Sequence, residues 1–298
     1  MKPSLDCFPC FVNQALTAAR RFTDDVDIQE RIVKETLAEI GRFSLNQTSP
    51  EMGATVGRIV AKAVGRRDLY KEEKKRFNNA VIAHLPVLRR RIAHAPDPFE
   101  AAVRIAVAGN LIDFTAPGGK TDEKLEDLFN DALSRPLSNL GDADVIARLK
   151  RTVQTANRIL YLADNAGEIV ADRLLIEQLP KGKVTVVVRG APVANDALLE
   201  DARDAGLDAL TEIIDNGLDL PGTLLSAAPK SFVDRFNAAD LIISKGQGNF
   251  ETLDFDPGRL FFLFVIKCTT VATYIGGEMG ESVVIDKRGG DNGHMRSD

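Results

Sequence analysis

The ten-residue stretch 159–168, Ile-Leu-Tyr-Leu-Ala-Asp-Asn-Ala-Gly-Glu, constrains the fold more than any other part of the chain. Its first five residues are apolar and predict a buried strand. Asp164 and Asn165 follow at once, a turn of small residues comes next, and Glu168 begins a predicted helix. A strand that leads through a polar turn into a helix is the repeating step of a parallel α/β sheet. The stretch therefore predicts a parallel sheet.

Apolar strand candidates alternate with helical patterns through the second half of the chain. After residues 159–163, the candidates are 184–188, 212–214, 241–244, 260–266 and 282–285. Right-handed crossovers between parallel strands would place the intervening helices on both faces of the sheet. We therefore predict a Rossmann-like α/β fold with a doubly wound, mostly parallel sheet over residues 121–298.

The first part of the chain shows helical periodicity and no strand pattern of comparable strength. Apolar residues recur every three or four positions in segments 8–22 and 28–43. Proline in Ser49-Pro50 and Asp97-Pro98 is typical of the first turn of a helix. We therefore predict an all-helical N-terminal domain, residues 1–120, whose helices pack on the α/β domain.

The overall composition excludes several classes of function. Hydrophobic residues make up 44% of the chain and charged residues 27%, which is typical of a globular protein with a full core. The net charge of -5 argues against nucleic acid, because phosphate backbones attract a basic surface. The chain has neither an apolar run of the roughly 18 residues that span a bilayer nor a signal-peptide pattern. We therefore expect a cytoplasmic protein without nucleic-acid or membrane partners, and we predict no particular oligomeric state.

Three cysteines form one C-x-x-C pair, Cys7 and Cys10, and one distant residue, Cys268. An odd, low count does not match the disulfide framework of a small secreted protein. A zinc site normally needs four Cys or His ligands, and the three histidines lie at no ligand-like spacing to the cysteines. Thiols buried against one another, a metal site and a redox role therefore all stay open for this possible cysteine cluster.

Unusual polar residues follow three of the predicted strands. They are Asp164 and Asn165 in the first loop, Arg189, Asn195 and Asp196 in the second, and Lys245, Asn249 and Glu251 in the third. The carboxyl ends of parallel strands share one edge of the sheet, and ligands bind there. Each Asp or Asn alone could be a helix cap. Their coincidence at equivalent strand ends favours a site for a hard divalent cation and a phosphate group.

The residue types in these loops favour some chemistries over others. Two carboxylates and an amide form an open site for a cation, whose other positions water or a phosphate can fill. Lys245 lies beside glycines, so its ammonium group and the backbone N–H groups could both contact an anion. The chain lacks the sequence motifs of dinucleotide-binding proteins, phosphate-loop kinases, serine hydrolases and zinc proteases. With only three histidines, proton transfer would use a carboxylate or water activated by the cation.

Six short motifs occur in order along nearly the whole chain. They are Cys7-x-x-Cys10 with Gln14-Ala15, Gly109-Asn110-x-x-Asp113, Asp164-Asn165-Ala166-Gly167-Glu168, Arg189-Gly190-x-Pro192 with Asn195-Asp196, Ser244-Lys245-Gly246-Gln247-Gly248-Asn249-Phe250-Glu251, and Lys267-Cys268. Together they resemble the metal-dependent damage-control phosphatases, a family also known as domain of unknown function 89. The C-x-x-C and the late Lys-Cys resemble its microbial, stand-alone branch.

The resemblance implies a fold, an activity and a metal site. The implied fold is a helical N-terminal region packed on a Rossmann-like α/β domain. The implied activity is hydrolysis of phosphate esters of small metabolites, such as damaged or surplus sugar phosphates. The implied cofactor is one divalent cation, Mn²⁺, Ni²⁺, Co²⁺ or Mg²⁺, held by Asp164, Asn165 and Asp196.

The resemblance also implies which residues meet the substrate. Asp164 and Lys245 are the expected catalytic residues, and Lys245 would contact the substrate phosphate. Asn110 and Asp113 would line the cleft from the helical side. Four further motif residues are expected near the substrate without a more specific role: Glu168, Arg189, Asn249 and Glu251.

Two mechanisms and two other functions stay open. The cation could position or activate an attacking water, while Lys245 offsets charge on the phosphoryl group. Alternatively, Asp164 could itself attack and form an aspartyl-phosphate. The chain could also be a carboxyl methyltransferase-like enzyme, an activity proposed for proteins related to this family. It could finally be a non-catalytic metal- or metabolite-binding protein that uses its cysteines.

Overall fold

The computed structural model describes residues 1–112, 124–134, 137, 140, 142–254 and 258–287. In this part of the chain, six strands form one sheet and helices cover both faces. The predicted α/β fold with a doubly wound, mostly parallel sheet is confirmed. Asp113 lies outside the described residues, as does the predicted domain boundary between residues 120 and 121.

Helices make up the first part of the chain, as the periodicity predicts. They are α1 Cys7–Phe22, α2 Val26–Ile40, α3 Ser49–Val64, α4 Lys71–Ala93, α5 Pro98–Gly109, α6 Leu125–Ser134 and α7 Val145–Thr155. Local sequence determines their ends: Thr48 and Glu51 form a capping box before α3, and Gly65 ends that helix at φ 76°. Among the helices that the structure describes, none combines the length and the apolar character needed to cross a bilayer.

The sheet has the strand order β3-β2-β1-β4-β5-β6. Its strands are β1 Ile159–Leu162, β2 Val184–Val188, β3 Glu212–Asp215, β4 Leu241–Lys245, β5 Leu260–Val265 and β6 Ser282–Asp286. Strands β1 to β5 pair in parallel, and β6 pairs antiparallel with β5 at one edge. The helices between and after them are α8 Glu168–Ile176, α9 Leu199–Asp204, α10 Lys230–Ala238, α11 Gln247–Leu253 and α12 Thr269–Ile275.

Each face of the sheet has its own apolar core. Ile159 and Tyr161 of β1 belong to the core that includes α4, α5, α7 and α8. Leu160 and Leu162 belong to the opposite core, which includes α10, α11 and α12. Because successive side chains of a strand point to opposite faces, the continuous apolar run of β1 is what a strand buried on both faces requires.

The N-terminal helices divide into two groups. Helices α1, α2 and α3 pack around a separate core that includes Phe11, Ile32 and Val56. Helices α4 and α5 instead share the core of the sheet, through residues such as Phe77 and Ile105. Helix α5 also contacts α8 and β5. The ends of α4 and α5 are thereby placed to contribute side chains to the carboxyl edge of the sheet.

The sheet contains one topological switch point. Strand β1 pairs with β2 on one side and with β4 on the other, so the chain leaves β1 in one direction and returns for β4 on the opposite side. In such sheets a crevice opens beyond the carboxyl ends of the two central strands. Asp164 follows β1 and Gly246 follows β4. The loop residues singled out in the sequence therefore lie where this topology favours a ligand.

Candidate active site

The turn after β1 brings Asp164 and Asn165 to the crevice. Gly167 turns the chain at φ 78°, a conformation that favours glycine, and α8 begins at Glu168. A side chain at position 167 would also crowd Phe77, whose Cβ would lie 3.1 Å away. Asp164 and Asn165 are both buried. The predicted strand, turn and helix are thus present, and the turn packs tightly against α4.

The loop after β2 lies directly beside this turn. Asn165 and Asp196 pair in an isolated antiparallel bridge. Two backbone hydrogen bonds reinforce the contact, from Ala197 N to Asp164 O at 2.7 Å and from Ala166 N to Asn195 O at 2.9 Å. The three residues expected to hold a metal therefore lie together, on two loops that the backbone joins.

Arg189 connects these loops to α11. Its Nε donates to Asp196 Oδ2 at 2.6 Å, and its Nη1 donates to Asn249 Oδ1 at 3.1 Å. Its Nη2 lies 3.5 Å from Asp164 Oδ1 but makes no hydrogen bond to any residue that the structure describes. Arg189 is buried, so one guanidinium group orients Asp196 and leaves an N–H donor beside Asp164.

Asn249 fixes the position of Arg189. Asn249 Oδ1 also accepts from Thr223 Oγ1 at 2.8 Å, and Asn249 Nδ2 donates to Lys245 O at 2.8 Å. Both Asn249 and Thr223 are completely buried. Thr223 was missed by the sequence reasoning, since a threonine in a loop distant from the motifs carries no signal.

Asn110 reaches the site from the end of α5. Its Nδ2 donates to Asp164 Oδ2 at 3.0 Å and to Glu168 Oε2 at 2.8 Å, while its Oδ1 accepts from Val265 N at 3.0 Å. Asn165 Nδ2 donates to the same two carboxylate oxygens, at 2.8 and 2.9 Å. Two amides therefore hold two carboxylates together, and one of these amides, Asn110, comes from the helical region; its expected place beside the substrate stays a prediction.

Lys245 lies beneath the site, with no exposed surface. Its Nζ donates to Glu168 Oε1 at 2.6 Å, to Asp172 Oδ1 at 2.6 Å and to Ala106 O at 2.8 Å. Burial by itself lowers the pKa of Lys245. The nearby carboxylates of Asp172 and Glu168 have the larger combined effect, so the pKa is raised above its ordinary value. All three ammonium hydrogens are used, so the contact with a substrate phosphate stays a prediction that this arrangement does not support.

Asp172 is a second residue that the sequence reasoning missed. It follows Glu168 by one helical turn, and it is completely buried in α8. Burial raises its pKa to about 7, and the charge of Lys245 partly opposes that effect. An acidic side chain among the apolar residues Ile169, Val170, Leu174 and Leu175 of the predicted helix was the available signal, because buried carboxylates require partners.

Asp164, Asn165, Asp196 and Glu168 form what we call the loop cluster, and its electrostatics fit a divalent cation. Burial, and then the carboxylates of Asp196 and Glu168, raise the pKa of Asp164 to about 8. The ionised form of Asp164 is thus disfavoured in this buried place, and a bound cation would favour it. Nowhere in the described residues do three His, Cys, Asp or Glu side chains form a metal-holding group. The expected set has two carboxylates and the amide of Asn165, so water or substrate would complete the shell.

Glu251 lies away from this cluster, among the cysteines. Gln247 Nε2 donates to Glu251 Oε1 at 2.7 Å and contacts Cys268 Sγ at 3.6 Å. Burial raises the pKa of Glu251 to about 7. Burial, and then nearby charges that include Glu251, raise the pKa values of Cys10 and Cys268. None of the three cysteines, including Cys7, forms a disulfide within the described residues, and the role of the cysteine cluster stays a prediction.

Lys267 acts electrostatically on both of these regions. It directly follows the extended apolar run of β5, and its side chain is half-buried. Its charge lowers the pKa values of both Asp164 and Glu251, although burial dominates at both carboxyls. The motif Lys267-Cys268 at a strand end was the sequence signal for this residue.

Comparison with known proteins identifies related sequences along almost the entire chain. A family model described as the damage-control phosphatase ARMT1-like domain matches residues 4–283. An uncharacterized protein of Methanocaldococcus jannaschii is 34% identical over 292 residues, which cover 95% of this chain and 94% of that protein. A protein of Archaeoglobus fulgidus named damage-control phosphatase is 32% identical over 288 residues, which cover 95% of this chain and 98% of the relative.

A protein of Pyrococcus horikoshii provides both a sequence and a structural comparison. The damage-control phosphatase PH1575 of this organism is 32% identical over 279 residues, which cover 91% of this chain and 93% of the relative. The crystal structure of a DUF89 family protein from the same organism superposes with a TM-score of 0.86 at 31% identity. The superposition covers 96% of this chain and 99% of that structure.

Proposed function

This chain belongs to the damage-control phosphatase ARMT1-like family, and from that premise we propose that it is a metal-dependent phosphatase acting on phosphate esters of small metabolites. One observation carries the proposal: the bridge between Asn165 and Asp196, which joins two polar loops beside Asp164 at the switch point of the sheet. The names of the relatives from Archaeoglobus fulgidus and Pyrococcus horikoshii support the same reaction class.

We assign one divalent cation to Asp164, Asn165 and Asp196. Support comes from the donor set and from burial, which raises the pKa of Asp164 to about 8, so that a nearby cation would favour the ionised carboxylate. Oxygen donors of this kind accept Mg²⁺, Mn²⁺, Co²⁺ and Ni²⁺, with affinity that rises along that series. A bound cation would supply Lewis-acid polarisation of a phosphate oxygen.

The remaining residues of the cluster have complementary tasks in this proposal. Arg189 orients Asp196 and directs its Nη2 toward Asp164. Asn110 holds Asp164 from the helical side. We give the phosphate contact to Lys267, because it is half-buried and its charge already acts on Asp164. Sugar phosphates are the substrate class in which we expect the physiological ester.

Water is the nucleophile in our proposal. The amides of Asn110 and Asn165 both donate to Asp164 Oδ2, and such hydrogen bonds reduce the nucleophilicity of that oxygen. Asp164 Oδ1 faces Arg189 and is the atom through which an aspartyl-phosphate would form in the alternative. Acid quenching during turnover, followed by mass spectrometry of the peptide that contains Asp164, distinguishes the two, because only the alternative leaves phosphate on the peptide.

The test of the function is phosphate release by metal-stripped protein. An aryl phosphate and a panel of sugar phosphates are supplied with Mg²⁺, Mn²⁺, Co²⁺ or Ni²⁺ in turn. We expect release that requires metal and that Asp164→Ala abolishes. Asp234→Ala, which removes an exposed carboxylate of α10, is the matched control and should retain full activity. A folded wild-type protein without activity under any metal would refute the proposal. The expected cytoplasmic location belongs to the proposal and can be checked by cell fractionation.

A further inference from the structure

A buried side chain of helix α4, Asn78, joins two loops of the α/β sheet. Asn78 Oδ1 accepts a hydrogen bond from Gly167 N at 2.6 Å, and Asn78 Nδ2 donates to Asp201 Oδ1 at 2.8 Å. Asn78 has no exposed surface, so water does not compete for either bond. One amide therefore uses its acceptor on one loop and its donor on the other.

Each partner of Asn78 belongs to a segment that carries a proposed metal ligand. Gly167 lies two residues after Asn165, in the turn that follows β1. Asp201 lies five residues after Asp196 and accepts from Leu198 N at 2.9 Å through its other oxygen, so it caps α9. Because both segments are bonded to the same amide, Asn78 adds a side-chain link to the backbone bridge that already joins the two loops.

Helix α4 also supplies positive charge to this contact. Lys74, one turn before Asn78, is buried, and its Nζ lies 2.8 Å from Asp68 Oδ2 and 3.7 Å from Asp201 Oδ2. The buried carboxylate of Asp201 is thus balanced by an amide and an ammonium group of one helix. Loss of the Asn78 side chain would leave the Gly167 N–H and one Asp201 oxygen without partners in the interior.

We infer that Asn78 is a positioning residue, which holds the turn of Asp164 and Asn165 in register with the loop of Asp196. The inference rests on the proposed function, because it assigns the helical region a part in building the cation site. Partners outside the ligand shell are typically worth about 10- to 100-fold in metal affinity. Asn78 acts through backbone and through a helix cap, so we expect an effect at the lower end of this range.

The experiment measures Mn²⁺ binding to the full chain without substrate, by the electron paramagnetic resonance signal of free Mn²⁺. Asn78→Ala removes both hydrogen bonds. Asn78→Asp keeps an acceptor for Gly167 N–H but places a carboxylate against Asp201. The exchanged pair, Asn78→Asp with Asp201→Asn, restores one donor and one acceptor with unchanged net charge. Each single variant should bind Mn²⁺ about 10-fold more weakly, and the exchanged pair should recover most of the loss.

Val81→Ala is the matched control on the same helix. Val81 is completely buried one turn after Asn78, and its side chain has no hydrogen-bonding group. The control should lose thermal stability and keep the wild-type Mn²⁺ affinity. Hydrogen exchange of residues 163–170 gives a readout independent of metal: it should accelerate in Asn78→Ala but not in Asn78→Asp, which still accepts from Gly167.

The outcomes separate this inference from the proposed function. Wild-type Mn²⁺ affinity in Asn78→Ala, or a failure of the exchanged pair to recover binding, overturns the positioning role. The proposed site survives that result if Asp164→Ala still abolishes Mn²⁺ binding. If the wild-type protein binds none of Mn²⁺, Co²⁺, Ni²⁺ and Mg²⁺, the proposed cation site and the positioning role are both overturned. If Asn78→Ala does not fold, Asn78→Asp and the exchanged pair decide the question by the same criteria.

Discussion

Lys245 Nζ donates a hydrogen bond to Glu168 Oε1 at 2.6 Å, and both side chains are completely buried. Glu168 uses its other oxygen to accept from the amides of Asn110 and Asn165. Those amides also bind the carboxylate of Asp164. A lysine at the end of a central strand thereby stabilises, through one glutamate, the arrangement of the cluster above it.

Replacement of Lys245 by methionine should destabilise the protein strongly. Lys245→Met leaves Glu168 and Asp172 as buried carboxylates without their common cation, which typically costs about 3–5 kcal/mol. The measurement is the free energy of unfolding in urea. Lys230→Met, which removes one partner of an exposed pair with Asp234, should cause only a small change. Equal losses in the two variants would contradict an internal counterion role for Lys245.

A methyl group at position 246 should strain the backbone and, in addition, disturb the active site. Gly246 has φ 81°, and a Cβ there would overlap the carboxylate of Asp164. Gly65 has nearly the same φ, 76°, but has open space around its Cα. Gly65→Ala should therefore cost about 1–2 kcal/mol of backbone strain and leave activity intact. Gly246→Ala should show at least that strain and also lose metal-dependent phosphate release.

Urea unfolding and initial rates of phosphate release, measured on both alanine variants, provide the comparison. Wild-type activity in Gly246→Ala would mean that Asp164 can move aside without consequence, and would remove the central role proposed for its position.

Stability should depend on pH through Glu251. Burial raises the folded-state pKa of Glu251 to about 7 from an ordinary value of 4.5. Between these pH values the folded state binds more protons than the unfolded state, so this group makes stability fall as pH rises. Glu251→Gln has no titrating carboxyl group at this position. The free energy of unfolding of this variant, relative to that of the wild type, should therefore increase from pH 4.5 to 7 by up to about 3 kcal/mol and then level off. A pH-independent difference in unfolding free energy would contradict the assignment.

Arginine at position 189 should not be replaceable by lysine. The guanidinium of Arg189 contacts Asp196, Asn249 and Asp164 with three different nitrogens. A lysine ammonium is a single point and cannot keep all three contacts. Arg189→Lys should fold but release phosphate about 10- to 100-fold more slowly, as for other residues that orient ligands. Steady-state kinetics at saturating metal, together with a thermal melt, test this; an unchanged kcat would exclude an orienting role.

Much of the fold followed from local patterns. The run at 159–163 and the four valines in 184–188 predicted buried strands, and both are interior strands of the sheet. The sequence could not predict that β6 pairs antiparallel with β5, because an antiparallel edge strand and a parallel one share the same short apolar pattern. The division of the helices into a separate bundle and a layer on the sheet also depends on contacts distant in sequence.

The sequence by itself determined which residue types follow each strand, because strand, turn and helix signals are local, and parallel topology then gathers the strand ends at one edge. It thereby identified Asp164, Asn165 and Asp196 as neighbours. Only the tertiary structure decided the direction of Lys245, which turns inward to Glu168 and Asp172. A buried ammonium group needs carboxylate partners. The partners of Lys245 belong to residues more than seventy positions away in the sequence, so local patterns could not identify them.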